Sequence, residues 1–203
     1  MDSSLWDERY RQSELVWSAG PNEFVAAYCA DLPPGRSIDL AAGEGRNALW
    51  LAEQGWDSTA VDFSAVAIAK ANEIAAKRGV AITGIVADLA TFVPEPASFD
   101  LVALIYFHVK PELWATVVGR CVDALAPGGR LLIVGHDRSN ITDGVGGPQD
   151  PTVLTTPDEA VQLFDDRVEI EQAKVVDRIV ETDDGPKAAK DTYLSVIRRA
   201  TGS

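Results

Sequence analysis

Apolar residues fall into two rhythms along this chain. Short apolar runs alternate with longer stretches in which apolar positions recur every three or four residues. Residues 36–41 read as a first strand ending in the turn Gly43-Glu44-Gly45, and residues 46–54 follow as a helix closed by Gly55. Residues 59–62 predict a second strand. Ser64 then caps an alanine-rich helix that Gly79 terminates, with Lys77 and Arg78 at the negative end of its dipole. Residues 82–87 predict a third strand. Residues 99–106 form the most apolar segment, as expected of a central parallel strand covered on both faces. A helix over 111–125, stopped by Pro127-Gly128-Gly129, leads to a fifth strand over 130–135. Residues 137–155 are rich in glycine, proline and aspartate and read as one long loop, a length that usually goes with function or disorder. Thr156-Pro157-Asp158-Glu159 has capping-box spacing and restarts a helix. Residues 168–181 and 188–198 flank Asp183-Asp184-Gly185 as a closing hairpin.

This alternation predicts an α/β fold with helices on both faces of a mainly parallel sheet, in which ligands bind at the carboxyl ends of the strands. The 203 residues suit one domain. Thirty-one acidic against 18 basic side chains give a net charge of −13, which disfavours a nucleic-acid or anionic-lipid partner. No apolar run approaches the roughly 20 residues of a membrane span, and the polar N-terminus carries no secretory pattern. Cys29 and Cys121 stand apart, without metal-ligand spacing. A cytoplasmic protein is expected; nothing in the sequence sets an oligomeric state.

At the strand ends, Gly43 and Gly45 let the backbone approach a ligand and direct N–H groups towards it. Asp62 ends the second strand, where it can accept hydrogen bonds from a ribose diol. The pattern Gly43-x-Gly45-x-x-Ala48 also fits a dinucleotide fingerprint, so a nicotinamide enzyme stays open at this point. Asp39 lies inside the first strand, and Asp88 follows the third, a place suited to an adenine amino group.

With these residues in this order, ahead of Pro127-Gly128-Gly129, residues 36–137 resemble the class I S-adenosylmethionine-dependent methyltransferases. The resemblance implies a Rossmann-like three-layer α/β/α sandwich with a mainly parallel seven-stranded sheet whose last strand is antiparallel. It also implies S-adenosyl-L-methionine as cofactor. Gly43 and Gly45 would pass its methionine end, Asp62 hold the ribose, Phe63 border the adenine, and Asp88 with Leu89 meet the adenine edge. Asp39, Ala41, Arg46, Asn47, Ser64 and Ile105 complete the implied set. Ala41-Ala42 replaces the family's usual Gly-Cys pair, which weakens the claim that the backbone there needs positive φ.

A narrower likeness is to the tellurite-resistance and thiopurine methyltransferase-like group, through Gly45-Arg46-Asn47-Ala48 and Leu51-Ala52-Glu53-Gln54-Gly55-Trp56. In that group an N-terminal helical lid, here residues 1–35, would bring Trp6, Tyr10, Trp17 and Asn22 to the substrate side with Tyr106. The aromatic ones could instead staple a helix to the domain. Residues 36–137 would form the cofactor core, 138–156 a loop over the site, and 157–203 the last helix and hairpin. Trp50, Trp56 and Trp114 are assigned to packing.

Both histidines, His108 and His136, fall just past neighbouring strand ends, where either can serve as a base, with Asp137 as an orienter of the imidazole. A metal-ligand reading of His108, His136 and Asp137 lacks paired spacing, so no metal is expected. A thiol costs about 2 kcal/mol to ionise at pH 7, against roughly 12 for an alcohol. A small-molecule thiol or chalcogenide acceptor is therefore expected first. An O-methyltransferase using a histidine base and a non-catalytic S-adenosylmethionine-binding regulator are the alternatives.

Overall fold

The computed structural model of the chain describes residues 3–12 and 20–200. One seven-stranded sheet is built from β1 (Arg36–Leu40), β2 (Asp57–Asp62), β3 (Thr83–Val86), β4 (Phe99–Ile105), β5 (Leu125–His136), β6 (Val168–Thr182) and β7 (Gly185–Arg198). Their order is β3-β2-β1-β4-β5-β7-β6. The first five strands pair in parallel, and β7 runs antiparallel between β5 and β6. The order reverses between β1 and β4, which opens a crevice at their carboxyl ends.

Helices cover both faces because the strands are apolar on both. Leu101, Ala103, Ile105, Leu132 and Val134 pack against α2 (Glu23–Cys29) and α3 (Arg46–Glu53). Val102, Leu104, Leu131 and Ile133 pack on the opposite face against α5 (Pro111–Ala124) and α7 (Pro157–Val161). Each fully buried leucine here contributes about 1.5–3 kcal/mol. The α4 helix (Ala65–Arg78) lies beside α3, and α1 (Ser3–Gln12) lies on α4. The expected loop over 137–155 holds a one-turn helix, α6 (Asn140–Asp143), and a 3-10 turn, Pro151–Val153. Among the described residues no helix is long and apolar enough to cross a membrane.

Two local features depart from expectation. Pro127-Gly128-Gly129 lies within β5, where Leu125 pairs with Phe99, the register slips, and the ladder resumes at Arg130 opposite Leu101. A Cβ on Gly129 would stand 2.6 Å from the Phe99 carbonyl oxygen, so this crossing needs glycine. The turn after β1 also corrects the reading of Ala41, which adopts φ 58° alongside Gly43 at 56° and Gly45 at 75°. Left-handed backbone costs a non-glycine residue about 1–2 kcal/mol, while glycine raises unfolded-state entropy by about 0.4–1 kcal/mol. Ala41→Gly is therefore expected to stabilise the fold by up to about 1 kcal/mol in urea unfolding. A loss of stability would contradict strain at this turn.

The β6–β7 hairpin continues past the end of β5. Beyond the pair His136–Asp191, residues 177–182 and 185–190 pair only with each other, forming a ribbon that overhangs the carboxyl edge of the sheet.

Candidate functional site

Four strand ends and the hairpin strand β7 align their polar residues along one edge, with Asp62, the Ala41–Gly45 turn, Tyr106, His136 and Asp191 following the strand order. Asp62 is buried at the end of β2. Its Oδ2 accepts the Gly43 N–H at 2.8 Å and its Oδ1 the Ser64 N–H at 2.9 Å, so it locks the turns after β1 and β2 together. Burial raises its pKa, against the pull of those amides. Ser64 caps α4 through the Ala67 N–H, and its hydroxyl donates to Asp7 on α1. The Lys70 ammonium ties the Tyr10 carbonyl and Glu44 to the same region.

Asp39 is 1% exposed, and neither carboxylate oxygen completes a well-directed hydrogen bond. Burial pushes its carboxyl up to about 7, against the charge of Arg46 and the amide of Asn47. Between about pH 4 and pH 7 the unfolded chain ionises this group while the folded chain keeps its proton. Stability should therefore fall across that window as pH rises, by up to about 4 kcal/mol. Asp39→Asn is expected to flatten that fall in urea unfolding at pH 5 and pH 8; an unchanged slope would exclude a buried neutral carboxyl. An orphaned carboxyl here, beside a turn with left-handed residues at 41, 43 and 45, fits a ligand that brings an ammonium group.

Tyr106, with φ 56°, turns out of β4 and donates its hydroxyl to Asp191 Oδ2 at 2.7 Å. Arg178 Nε donates to the same oxygen at 2.7 Å, and His136 Nδ1 stands 3.2 Å from Asp191 Oδ1. That last pair is out of line for a hydrogen bond in this conformation. Asp191 is wholly buried. Burial alone would raise its carboxyl, but His136, Arg178 and Tyr106 together hold it below the ordinary value.

Several expectations are corrected by this geometry. Asp137 does not orient His136. Its Oδ1 accepts from the Ser139 N–H and hydroxyl, and its Oδ2 from the Thr192 hydroxyl. The carboxylate that faces His136 Nδ1 is that of Asp191. His108 is not a base, because its Nε2 accepts the His136 N–H at 3.0 Å and burial drives its pKa down to about 4. It lines a small, mainly apolar cavity with Leu104, Trp114, Ile133 and His136 itself. Among the described residues no three His, Cys, Asp or Glu side chains are grouped to hold a metal.

On the lid side, Asn22 caps α2 through the Phe24 and Val25 N–H groups, and its own N–H donates to Asn47 Oδ1 at 2.9 Å, so both asparagines join α2 to α3. Tyr10 is buried, and the Trp6 ring lies 5.8 Å from its ring, which agrees with the packing alternative. Trp17 lies outside the described residues. Ile105 and Leu89 point into the core, leaving only their backbones for a ligand. Phe63 is half-buried and Asp88 exposed, its Oδ1 accepting the Ala90 N–H.

The segment after β5 is anchored over His136. Buried Asn140 donates to the Val145 and Gly146 carbonyls and accepts the Lys190 N–H. Arg138 grips Glu159 with two nitrogens and the Leu154 carbonyl. Gly147, at φ 71°, lies so near His136 that a Cβ would stand 2.6 Å from the ring. Asp191, Arg178 and Asn140 escaped the sequence reading. The signal for Asp191 was the one used for Asp39, an acid inside an apolar strand.

Comparison with known proteins follows this geometry. Residues 38–129 match the family model described as "Methyltransferase domain". The 2-heptyl-1-hydroxyquinolin-4(1H)-one methyltransferase of Mycobacteroides abscessus is 32% identical over 117 residues, covering 56% of this chain and 52% of that one. TehB of Haemophilus influenzae, named as a probable S-adenosyl-L-methionine-dependent methyltransferase, is 24% identical over 169 residues, 83% of this chain and 58% of TehB. The chain thus spans little more than half the length of these curated relatives. The crystal structure of TehB superposes with TM-score 0.72 at 19% identity over 98% of this chain and 67% of TehB. A structure titled for conversion of a disulfide bond into a thioacetal group in echinomycin biosynthesis reaches TM-score 0.78 at 21% identity, covering 98% and 94%. These structural likenesses concern the fold alone. The domain match falls on the strands that carry Asp39, Gly43, Asp62 and Tyr106, and residues 38–129 form a methyltransferase domain similar to those of the S-adenosylmethionine-dependent enzymes.

Proposed function

We propose that this protein transfers the methyl group of S-adenosylmethionine to a small molecule, and that the atom methylated is the oxygen of an acidic hydroxyl. The observation that carries the reading is His136 beside buried Asp191, on the same sheet edge as the Gly43–Asp62 turn. The net charge of −13 supports a small acceptor over a nucleic acid.

On the cofactor side, Asp39 is suited to the ammonium of the methionine end, Arg46 to its carboxylate, and Asp62 to a ribose hydroxyl through its remaining lone pairs. S-adenosylmethionine, when bound, supplies an electrophilic methyl group on a sulfonium. On the acceptor side, Asp191 favours the His136 tautomer with the proton on Nδ1 and leaves Nε2 to take the hydroxyl proton. Magnitudes select the acceptor. A phenol with pKa about 10 costs roughly 4 kcal/mol to ionise at pH 7, within the 100- to 10,000-fold that a positioned base contributes. An aliphatic alcohol lies far outside that range. The hydroxyquinolinone in the name of the Mycobacteroides relative fits this class.

Labelled S-adenosylmethionine offered with phenols, sugars, thiols and chalcogenides tests the reading. Label should pass to acidic hydroxyls. Transfer to thiols or chalcogenides alone, unaffected by loss of His136, would replace it with the acceptor class expected from acidity. Cofactor binding without transfer to any class would point to a regulator.

A further inference from the structure

We propose that Arg178 is the anion-recognition residue of the acceptor site, its two terminal nitrogens taking a carboxylate carried by the acceptor. This rests on the methyltransferase reading and narrows its substrate to a hydroxyl compound bearing a carboxylate.

Arg178 sits on the overhanging ribbon, opposite Ala189, past the last strand of the parallel sheet. Its Nε is bound to Asp191 at 2.7 Å, and its guanidinium carbon lies 5.3 Å from the centre of the Tyr106 ring. One face is thus stacked and one donor anchored, which fixes the direction of the fork. A guanidinium has five N–H donors. Nε uses one on Asp191 and the guanidinium also meets the Tyr106 hydroxyl, so among the described residues these two side chains leave donors of the terminal nitrogens to spare.

The contrast with Arg138 is informative, because both of its terminal nitrogens are spent on the oxygens of Glu159 and on the Leu154 carbonyl. Arg178 is less exposed than Arg138, 21% against 42%, yet has fewer partners. Among the described residues its salt bridge is to Asp191, which also serves Tyr106 and faces His136. Arg46 lies close enough for the two cations to oppose one another across Tyr106. A planar fork with paired free donors, half out of water, matches the two oxygens of a carboxylate. Its position beside Tyr106 and His136 puts that carboxylate next to the hydroxyl to be methylated.

The test uses full-length protein saturated with S-adenosylhomocysteine and a panel of aromatic carboxylic acids, each paired with its primary amide, titrated by ligand-observed NMR. Acids should bind about tenfold or more tightly than their amides. Arg178→Gln should abolish that preference and Arg178→Lys keep part of it, with affinity for S-adenosylhomocysteine unchanged in both. S-adenosylhomocysteine binding without preference for any acid over its amide in the wild type overturns the proposal, whether or not the variants fold. So does a preference that survives in Arg178→Gln. Failure to bind S-adenosylhomocysteine removes the methyltransferase reading itself and this proposal with it.

Discussion

Replacing His136 by glutamine is expected to lower turnover by about 100- to 10,000-fold while the dissociation constant for S-adenosylhomocysteine holds, because only the proposed base is lost. Asp191→Asn should lower turnover by a comparable order. The amide keeps the shape but can present an N–H to His136 Nδ1 and so reverse the tautomer. The two neighbours that resemble these residues in sequence should behave differently. His108→Gln and Asp137→Asn disturb the ends of β5 and its loop, so their cost should appear as lost stability rather than lost turnover in the folded protein. Steady-state rates with an acidic hydroxyl acceptor decide the matter. Near-wild-type turnover by both His136→Gln and Asp191→Asn would remove the pair from the mechanism.

Asp62→Ala is expected to cost about 3–6 kcal/mol of stability, since two hydrogen bonds to a carboxylate are lost at about 1.5–3 kcal/mol each. That is a large part of the 5–15 kcal/mol typical of a domain. Asp62→Asn, which retains one acceptor oxygen, should lose about half as much. Affinity for S-adenosylhomocysteine should fall in both variants, because the acid that holds the Gly43 turn is also the one proposed to face the ribose. Urea unfolding with and without S-adenosylhomocysteine separates the two effects. Wild-type stability in Asp62→Ala would show that the turns are held by other contacts.

The expected hairpin and the capping box at Thr156 are present, the latter with both of its reciprocal hydrogen bonds. Ser64 and Gly79 begin and end α4 as their residue types require. Asn22 and Asn47 were read as ligand contacts because an asparagine beside a glycine turn looks the same in sequence whether it faces a ligand or a helix end. The positive φ of Ala41 was hidden for a related reason. A left-handed residue is legible only when it is glycine, yet the Asp62–Gly43 hydrogen bond holds this turn in place whatever residue 41 is.

By itself the sequence determined the strand-helix alternation, the glycine turn, the caps and the strand-end acids, because each of these depends on forces acting within a few residues. The pairing at the acceptor end belongs to the tertiary structure. Successive side chains of a strand point to opposite faces, so Asp137, next to His136 in the chain, is turned away towards Thr192. The antiparallel register of β5 and β7 instead sets Asp191 directly opposite His136, on the same face. Likewise, the imidazole of His108 became an acceptor for a backbone N–H only when β4 and β5 were laid side by side. Which acid serves which histidine is fixed by strand register, a property of the assembled sheet that neighbourhood in the chain does not carry.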